Sequence, residues 1–199
     1  MAMKIRPLKP REWLLGCVCL WLACLGPAGA EENAGGGEFQ VYQVKATYLY
    51  NFTKFTDWPA AAFSASNAPL VIGIVGADPF GQTIDEIMKG EIVRGHPLVI
   101  KRLRDNDDFQ GCQLLFFSHS EKKRLPDLLK RIKGRPVLSV GELSGFVQQG
   151  GMVNLLVANK TMKMEINQTV ATQAGLQISA KLLKLAQLVL DTPAEGLQK

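Results

Sequence analysis

The pattern of apolar and polar positions alternates between short runs typical of buried strands and a longer period typical of helices. Four short runs predict strands, and the first is continuously apolar, as in a strand that is covered on both faces. They are Leu70–Val75, Pro97–Leu103, Leu114–Phe117 and Val137–Val140.

Helical periods lie between these strands. A long amphipathic helix is predicted over 41–58, ending at Pro59, with its apolar face at Val41, Val44, Tyr48, Phe52 and Phe55. A second helix is expected to open at Asp78–Pro79, with Asp78 as its N-cap, and to close at Gly90. A basic helix begins near Pro126, and a short helix is predicted over Glu142–Gln149.

The C-terminal half follows a different pattern. Met152–Ala158 and Met162–Ile166 are strand-like runs whose three-residue connection allows only an antiparallel hairpin, expected at one edge of the sheet. A helical period then covers 170–190, with a break near Gly175, and Asn167 is placed to cap the helix that follows it. The sequence therefore predicts a single three-layer α/β/α domain with a mostly parallel sheet.

The N-terminus has the features of an export signal. Basic residues precede a 13-residue apolar run, and small residues follow it, so residues 1–30 are interpreted as a secretory signal peptide cleaved after Ala30. A retained signal anchor and a lipoprotein anchor on Cys24 are the alternatives. Residues 31–40 are expected to form a flexible lead-in, residues 41–191 the domain, and residues 192–199 a frayed tail. The signal peptide predicts that the protein is exported.

Removal of residues 1–30 changes the bulk composition. That segment holds four of the 23 basic and one of the 18 acidic side chains, so the remainder carries a net charge near +2 rather than +5. Three of the four cysteines also lie in it, which leaves Cys112 alone and excludes a disulfide scaffold. A lone buried thiol is the ordinary outcome for a cysteine in an apolar strand, and a disulfide between two chains through Cys112 is the alternative.

The segment 118–135 carries seven Lys or Arg residues against two acids. Its leucines and isoleucine recur at helical spacing, which turns the cations to the remaining faces. With a net charge near +2 in an exported protein, nucleic acid is not expected as a partner. The cations either keep the helix solvated or form a docking face for an acidic partner or a lipid headgroup, and the candidates are Lys122, Lys123, Arg124, Lys130 and Arg131.

Motifs that would carry chemistry are incomplete. Residues 76–83 follow the spacing of a phosphate-binding loop, but Gln82 stands where that loop needs its lysine. Residues 141–145 space the serine wrongly for a nucleophile elbow. The two histidines, His96 and His119, belong to no cluster with metal-ligand spacing. The sequence therefore predicts neither an enzyme nor a bound cofactor or metal.

From Val41 to about Asp191 the chain resembles the YfiR family of small periplasmic proteins. The resemblance rests on the order and spacing of six segments: YLYNFTKFTDWP (48–59), GIVGADPFG (73–81), PVLSVGE (136–142), GGMVNLLV (150–157), MKMEIN (162–167) and AGLQISAKLLKLA (174–186).

The resemblance implies a three-layer α/β/α fold, often dimeric, and a regulatory function. Relatives of the namesake type bind the periplasmic sensory domain of an inner-membrane diguanylate cyclase and keep it inactive. An outer-membrane-associated release factor relieves the inhibition, which raises cyclic-di-GMP and favours biofilm growth. The better-known relatives carry paired cysteines, whereas this chain after residue 30 has only Cys112, so redox tuning through an intramolecular disulfide does not carry over.

The sequence and its resemblance therefore leave two candidate functions for this protein. The first is a repressor of a membrane diguanylate cyclase, and the second is a periplasmic small-molecule sensor or carrier that acts with a receptor or transporter. In an open α/β sheet a ligand usually lies beyond the carboxyl ends of the strands. The residues predicted to line that crevice are Gly76, Asp78, Ser118, His119, Ser120, Gly141 and Glu142.

Overall fold

Helices and strands alternate along the residues that the computed structural model describes, 34–104, 107–159 and 161–189. The helices are α1 (Ala34–Phe55), α2 (Gln82–Met88), α3 (Leu125–Ile132), α4 (Gln168–Gln173) and α5 (Ala180–Leu183). The strands are β1 (Thr56–Asp57), β2 (Leu70–Val75), β3 (Ile92–Val93), β4 (His96–Leu103), β5 (Cys112–Phe117), β6 (Leu138–Gly141), β7 (Val153–Ala158), β8 (Thr161–Ile166), β9 (Gln177–Ile178) and β10 (Gln187–Leu188).

The main sheet has the strand order β10-β8-β7-β6-β5-β2-β4-β3, and β1 and β9 form a separate antiparallel pair. Strands β4, β2, β5, β6 and β7 run parallel to one another, while β8 runs antiparallel to β7 and β3 antiparallel to β4. The predicted α/β domain with a mostly parallel sheet and an antiparallel hairpin is thereby confirmed. The hairpin lies one strand in from the edge, because β10 pairs with the outer side of β8.

The central strand β5 is buried along its whole length and separates two apolar cores. Leu114 and Phe116 point into the core shared with α1, α2, α4 and α5. Leu115 and Phe117, on the alternate positions, point into the core shared with α3. This period-two alternation produces the three layers, since each face of a strand must be covered by its own set of helices.

The predicted first helix exists, but its buried face is rotated from the predicted one. Ala46, Leu49 and Phe52 are fully buried, whereas Val44 is 44% exposed. The buried stripe also contains Lys45 and Thr53, and polar residues on that face weaken the apolar period.

The second helix begins later than predicted, because Asp78 is not its N-cap. Gly81 occupies that position with a φ of 54°, and α2 starts at Gln82. Asp78 Oδ1 instead accepts a hydrogen bond of 2.8 Å from the Phe80 N–H, and this short local turn competes with a capping bond to the helix.

The short helix predicted over Glu142–Gln149 is a series of turns. Gly145 adopts a φ of 76°, which interrupts a right-handed helix. The ring of Phe146 fills the space beside Gly141 and Gly151, where a Cβ on either glycine would overlap it. The segment is thus held by this packing together with turn hydrogen bonds, such as the bond of 3.0 Å from the Gly151 N–H to the Phe146 carbonyl.

The helix predicted over 170–190 is also wrong, although Asn167 caps a helix as expected. Its side chain accepts a hydrogen bond of 3.0 Å from the Val170 N–H. Helix α4 then ends beside Gly175, which has a φ of 77°, and the chain continues as β9, α5 and β10. Leu176 and Ile178 are both buried, and their spacing of two residues puts them on one face of a strand, whereas in a helix they would lie on nearly opposite faces.

The proposed signal peptide over 1–30 and the tail over 192–199 lie outside the described residues. Of the lead-in predicted over 31–40, residues 34–40 belong to α1. In the described parts of the chain, none of the helices is both long enough and apolar enough to cross a membrane.

Candidate functional site

The carboxyl ends of β2 and β5 meet at the point where the order of the sheet reverses. From β2 the chain crosses through α2 to β4 on one side, and from β5 it crosses through α3 to β6 on the other. The loops after the two strands therefore diverge and leave a crevice, the usual ligand position in an open α/β sheet. Gly76 follows β2, Ser118 follows β5 and Glu142 follows β6, so three predicted crevice residues lie at this edge.

Hydroxyl groups connect the loops that follow β2 and β5. Ser120 Oγ accepts a hydrogen bond of 3.0 Å from the Ala77 N–H and lies 2.8 Å from Ser118 Oγ. It also donates to Glu121 Oε1 at 3.2 Å. Gly76, with a φ of 90°, has no room for a Cβ beside Ser120 and Glu121. The structure thus brings Gly76, Ser118 and Ser120 together, and their role in lining a ligand crevice stays a prediction.

A buried ion pair crosses from α1 to the end of β6. Lys45 Nζ lies 2.5 Å from Glu142 Oε2, and the two side chains are 7% and 3% exposed. Glu142 Oε1 accepts a hydrogen bond of 2.9 Å from the His119 N–H. Both carboxylate oxygens of Glu142 are therefore engaged, and one side chain connects α1, β6 and the loop after β5.

Asp78, another predicted crevice residue, faces an arginine on β4. Arg102 Nε donates to Asp78 Oδ2 at 2.7 Å, and its Nη2 donates to Asp85 Oδ2 at 2.5 Å and to the Gly81 carbonyl at 2.8 Å. The hydrogen bonds from Arg102 hold the pKa of Asp85 below its ordinary value, and the two carboxylates raise the pKa of Arg102. This bidentate arrangement fixes the start of α2 against β4.

The five cations predicted as a docking face divide into two groups. Arg124 Nη1 lies 3.3 Å from Glu121 Oε2, and the guanidinium of Arg131 stacks on Phe109 at 4.1 Å. Arg131 Nη2 also donates to the Asp107 carbonyl at 2.8 Å. The other three are exposed and form no ion pair with any residue of the described segments: Lys122, Lys123 and Lys130.

Cys112 begins β5 and is 4% exposed, the ordinary outcome for a cysteine in an apolar strand. Burial raises the pKa of its thiol, which disfavours the reactive thiolate. A disulfide to a second chain therefore requires local opening around the start of β5.

The arrangement at the crevice serves to hold loops together and lacks the geometry of a catalytic site. Ser120 reaches a carboxylate, but no histidine orients it, because the exposed His119 contributes only its backbone N–H. Within 34–104, 107–159 and 161–189, no three or more His, Cys, Asp or Glu side chains are grouped to hold a metal.

Sequence reasoning missed three residues of this region: Lys45, Arg102 and Glu121. Lys45 is a charged residue on a helix face that periodicity marks as apolar, and Glu121 belongs to a charged segment that is expected to be solvated. Both side chains are nevertheless buried. One signal in the sequence could have indicated a buried charge. Lys45 lies one turn before Leu49, at a position where the buried face of a helix normally carries an apolar residue. Nothing in the sequence pairs it with Glu142, which lies 97 positions further along.

Comparison with known proteins defines the class. Residues 42–187 match the YfiR/HmsC-like family, so the chain belongs to that family. It is a family of periplasmic, non-catalytic regulators in diguanylate cyclase signalling.

Among solved structures the chain is similar to two proteins at 13% identity. One is an ABC domain in complex with L-Trp from Streptococcus pneumonia, with a TM-score of 0.45, 60% of this chain covered and 55% of that one. The other is a conserved domain protein from Vibrio cholerae O1 biovar El Tor, with a TM-score of 0.48 and coverages of 72% and 59%. The chain thus spans between half and two thirds of each.

The buried ion pair yields a stability prediction. Lys45→Met leaves the Glu142 carboxylate buried without its cation and should lower the free energy of unfolding by about 3–5 kcal/mol in urea titrations at pH 7. Lys45→Met combined with Glu142→Gln removes both charges and keeps an acceptor for the His119 N–H, so it should recover more than half of that loss. Lys54→Met, on the exposed side of α1, is the control with an effect below about 1 kcal/mol. A double variant no more stable than Lys45→Met contradicts the assignment.

The buried thiol yields a reactivity prediction. Iodoacetamide should modify Cys112 in the folded protein at least about 100-fold more slowly than in urea, because the thiolate forms only when the strand opens. The raised pKa also means that the rate in the folded state continues to increase with pH above the range of an ordinary thiol. Mass spectrometry after timed quenching measures both rates, and Cys112→Ser is the blank. Equal rates in folded and unfolded protein contradict burial.

Proposed function

We propose that this protein represses an inner-membrane diguanylate cyclase from the periplasm by binding the periplasmic sensory domain of that enzyme. The observation that carries the proposal is membership of the YfiR/HmsC-like family over residues 42–187. The proposal includes export through a signal peptide over residues 1–30, which are cleaved, and release of the repression by an outer-membrane-associated factor.

Repression of this kind is a shift of population between two states of the cyclase. The repressor must bind the inactive state more tightly than the active one, since equal affinity for both shifts nothing. Moving the cyclase from 1% to 99% inactive takes a preference of about 10⁴-fold. Such a repressor needs a shaped and rigid surface but no reactive group, which agrees with the loop-holding role of Glu142 and Ser120.

The proposed partner surface is the α3 cationic face, defined as Lys122, Lys123 and Lys130. All three are exposed, and none is paired with a carboxylate in the described ranges. Lys130 projects from α3, which is anchored by buried Leu125, Leu128, Leu129 and Ile132, and Lys122 and Lys123 lie in the turn that leads directly into that helix. Charge complementarity then implies an acidic surface on the sensory domain.

We further propose that the protein acts as a homodimer, as the resemblance to its family implies. A small-molecule sensor or carrier remains the second candidate function. The buried Oε2 atom of Glu121 favours it, because that atom accepts no hydrogen bond from the described residues although Arg124 lies 3.3 Å away. A donor group of a ligand that reached this buried atom would complete its hydrogen bonding.

Deleting the gene tests repression directly. Cellular cyclic-di-GMP, measured by mass spectrometry of cell extracts, should increase in the deletion strain and return to its original level when the target cyclase is deleted as well. Expression of the chain from a plasmid should restore repression, and expression without residues 1–30 should not, because the protein then stays in the cytoplasm. An unchanged cyclic-di-GMP level after deletion contradicts the repressor function.

Charge reversal tests the α3 cationic face. Lys122→Glu combined with Lys123→Glu should lower the association rate constant for the purified sensory domain by roughly tenfold at low salt and flatten its dependence on ionic strength. Surface plasmon resonance at several salt concentrations measures both effects.

The matched control is Lys101→Glu combined with Lys163→Glu. These lysines are also exposed, lie on β4 and β8, and give the same change in net charge. Sedimentation of every variant checks that the homodimer is unaltered. If both pairs slow association equally, the effect belongs to overall charge and the α3 face is not the docking surface.

A further inference from the structure

A second cleft lies at the opposite end of the sheet from the crevice, beside the amino ends of β6 and β7. It has a volume of about 620 Å³ and is enclosed by the last turns of α3, the turn that precedes β7, and α4. Sites for small organic ligands commonly have volumes of about 300–1,000 Å³. The cleft is therefore large enough for a small molecule, and it is separate from the predicted crevice.

The apolar wall of this cleft is made of residues that belong to the two cores. Leu129 and Ile132 come from the core under α3, and Met152 and Ala174 come from the core under α4. Each of these four residues is buried to more than nine tenths. The wall is therefore fixed by core packing and does not need a ligand to form.

The rim of the cleft is cationic and rich in amides. Lys130 and Lys133 lie three residues apart, both are exposed, and neither forms an ion pair within the described parts of the chain. The carboxamides of Gln148 and Gln173 also line the cleft and form no side-chain hydrogen bond with a described residue. No Asp or Glu is found among the described residues that line it.

We propose that this cleft binds a small aliphatic carboxylate, with the carbon chain against Leu129, Met152 and Val170 and the carboxylate between Lys130 and Lys133. An apolar wall selects an apolar body, because removing it from water is favourable. Two ammonium groups without a facing acid select a single negative head group. Gln148 and Gln173 supply further donors beside that head group. The site shares Lys130 with the α3 cationic face, but its test does not depend on the proposed repression, since that test measures binding to the isolated chain.

Calorimetric titration of the purified protein with sodium decanoate tests the site. We expect saturable binding with one site per chain below the concentration at which decanoate forms micelles. Decanol, with the same chain and no charge, should bind more weakly, and acetate, with the charge and almost no chain, should not bind measurably. Absence of saturable decanoate binding overturns the proposal.

Three variants locate the binding. Lys130→Gln with Lys133→Gln should weaken decanoate binding by roughly tenfold and leave decanol binding unchanged, because only the charged contacts are lost. Gln173→Trp, at an exposed position on α4, should fill the cleft and weaken both ligands. Lys122→Gln with Lys123→Gln is the control, since it removes the same charge close to α3 but outside the cleft.

The same variants give the results that would contradict binding of decanoate in this cleft. If the Lys122 and Lys123 variant weakens decanoate as much as the Lys130 and Lys133 variant, the ligand responds only to overall charge. If Gln173→Trp leaves both affinities unchanged, the chain of the ligand lies elsewhere. Thermal melts of each variant without ligand separate loss of binding from loss of fold.

Discussion

The need to cover both faces of the β2 and β5 pair governs the rest of the structure. Every residue of β5 is buried, and its side chains enter two separate cores on alternate positions. A parallel pair buried in this way must be joined by crossovers that pass over one face or the other. The divergence of α2 and α3, and with it the crevice between the two loops, follows from that requirement.

The features that repeat along the chain were accessible from the sequence, and the features that depend on a distant partner were not. Helix α3 was predicted because Leu125, Leu128, Leu129 and Ile132 recur at helical spacing, and all four are buried. The region after residue 170 was predicted wrongly as a helix, because the two-residue strand at Gln177–Ile178 is formed by pairing with the distant β1 and is too short to stand out in the apolar pattern. The crevice residues that directly follow strands were found, whereas Lys45 and Arg102 act through partners that no local pattern reveals.

Polar contacts join elements that are separate along the chain. The side chains of Lys45 and Glu142 form a buried pair, while the more exposed Ser120 bonds to Ala77, and Arg102 bonds to Asp78 and Asp85. Polar side chains used in this way fix the relative orientation of the elements they join, and a surface for a protein partner requires such a fixed orientation.

The ion pair between Lys45 and Glu142 also constrains the order in which the chain can fold. The two residues are 97 positions apart, so a chain that emerges N-terminus first, from a ribosome or a translocation channel, delivers the lysine long before its carboxylate. Until then Lys45 has no buried partner, so α1 lacks one of the contacts that hold it in its final position. The complete packing of the first helix is thus reached only after β6 has emerged, so delivery of the chain and its final assembly are separate events.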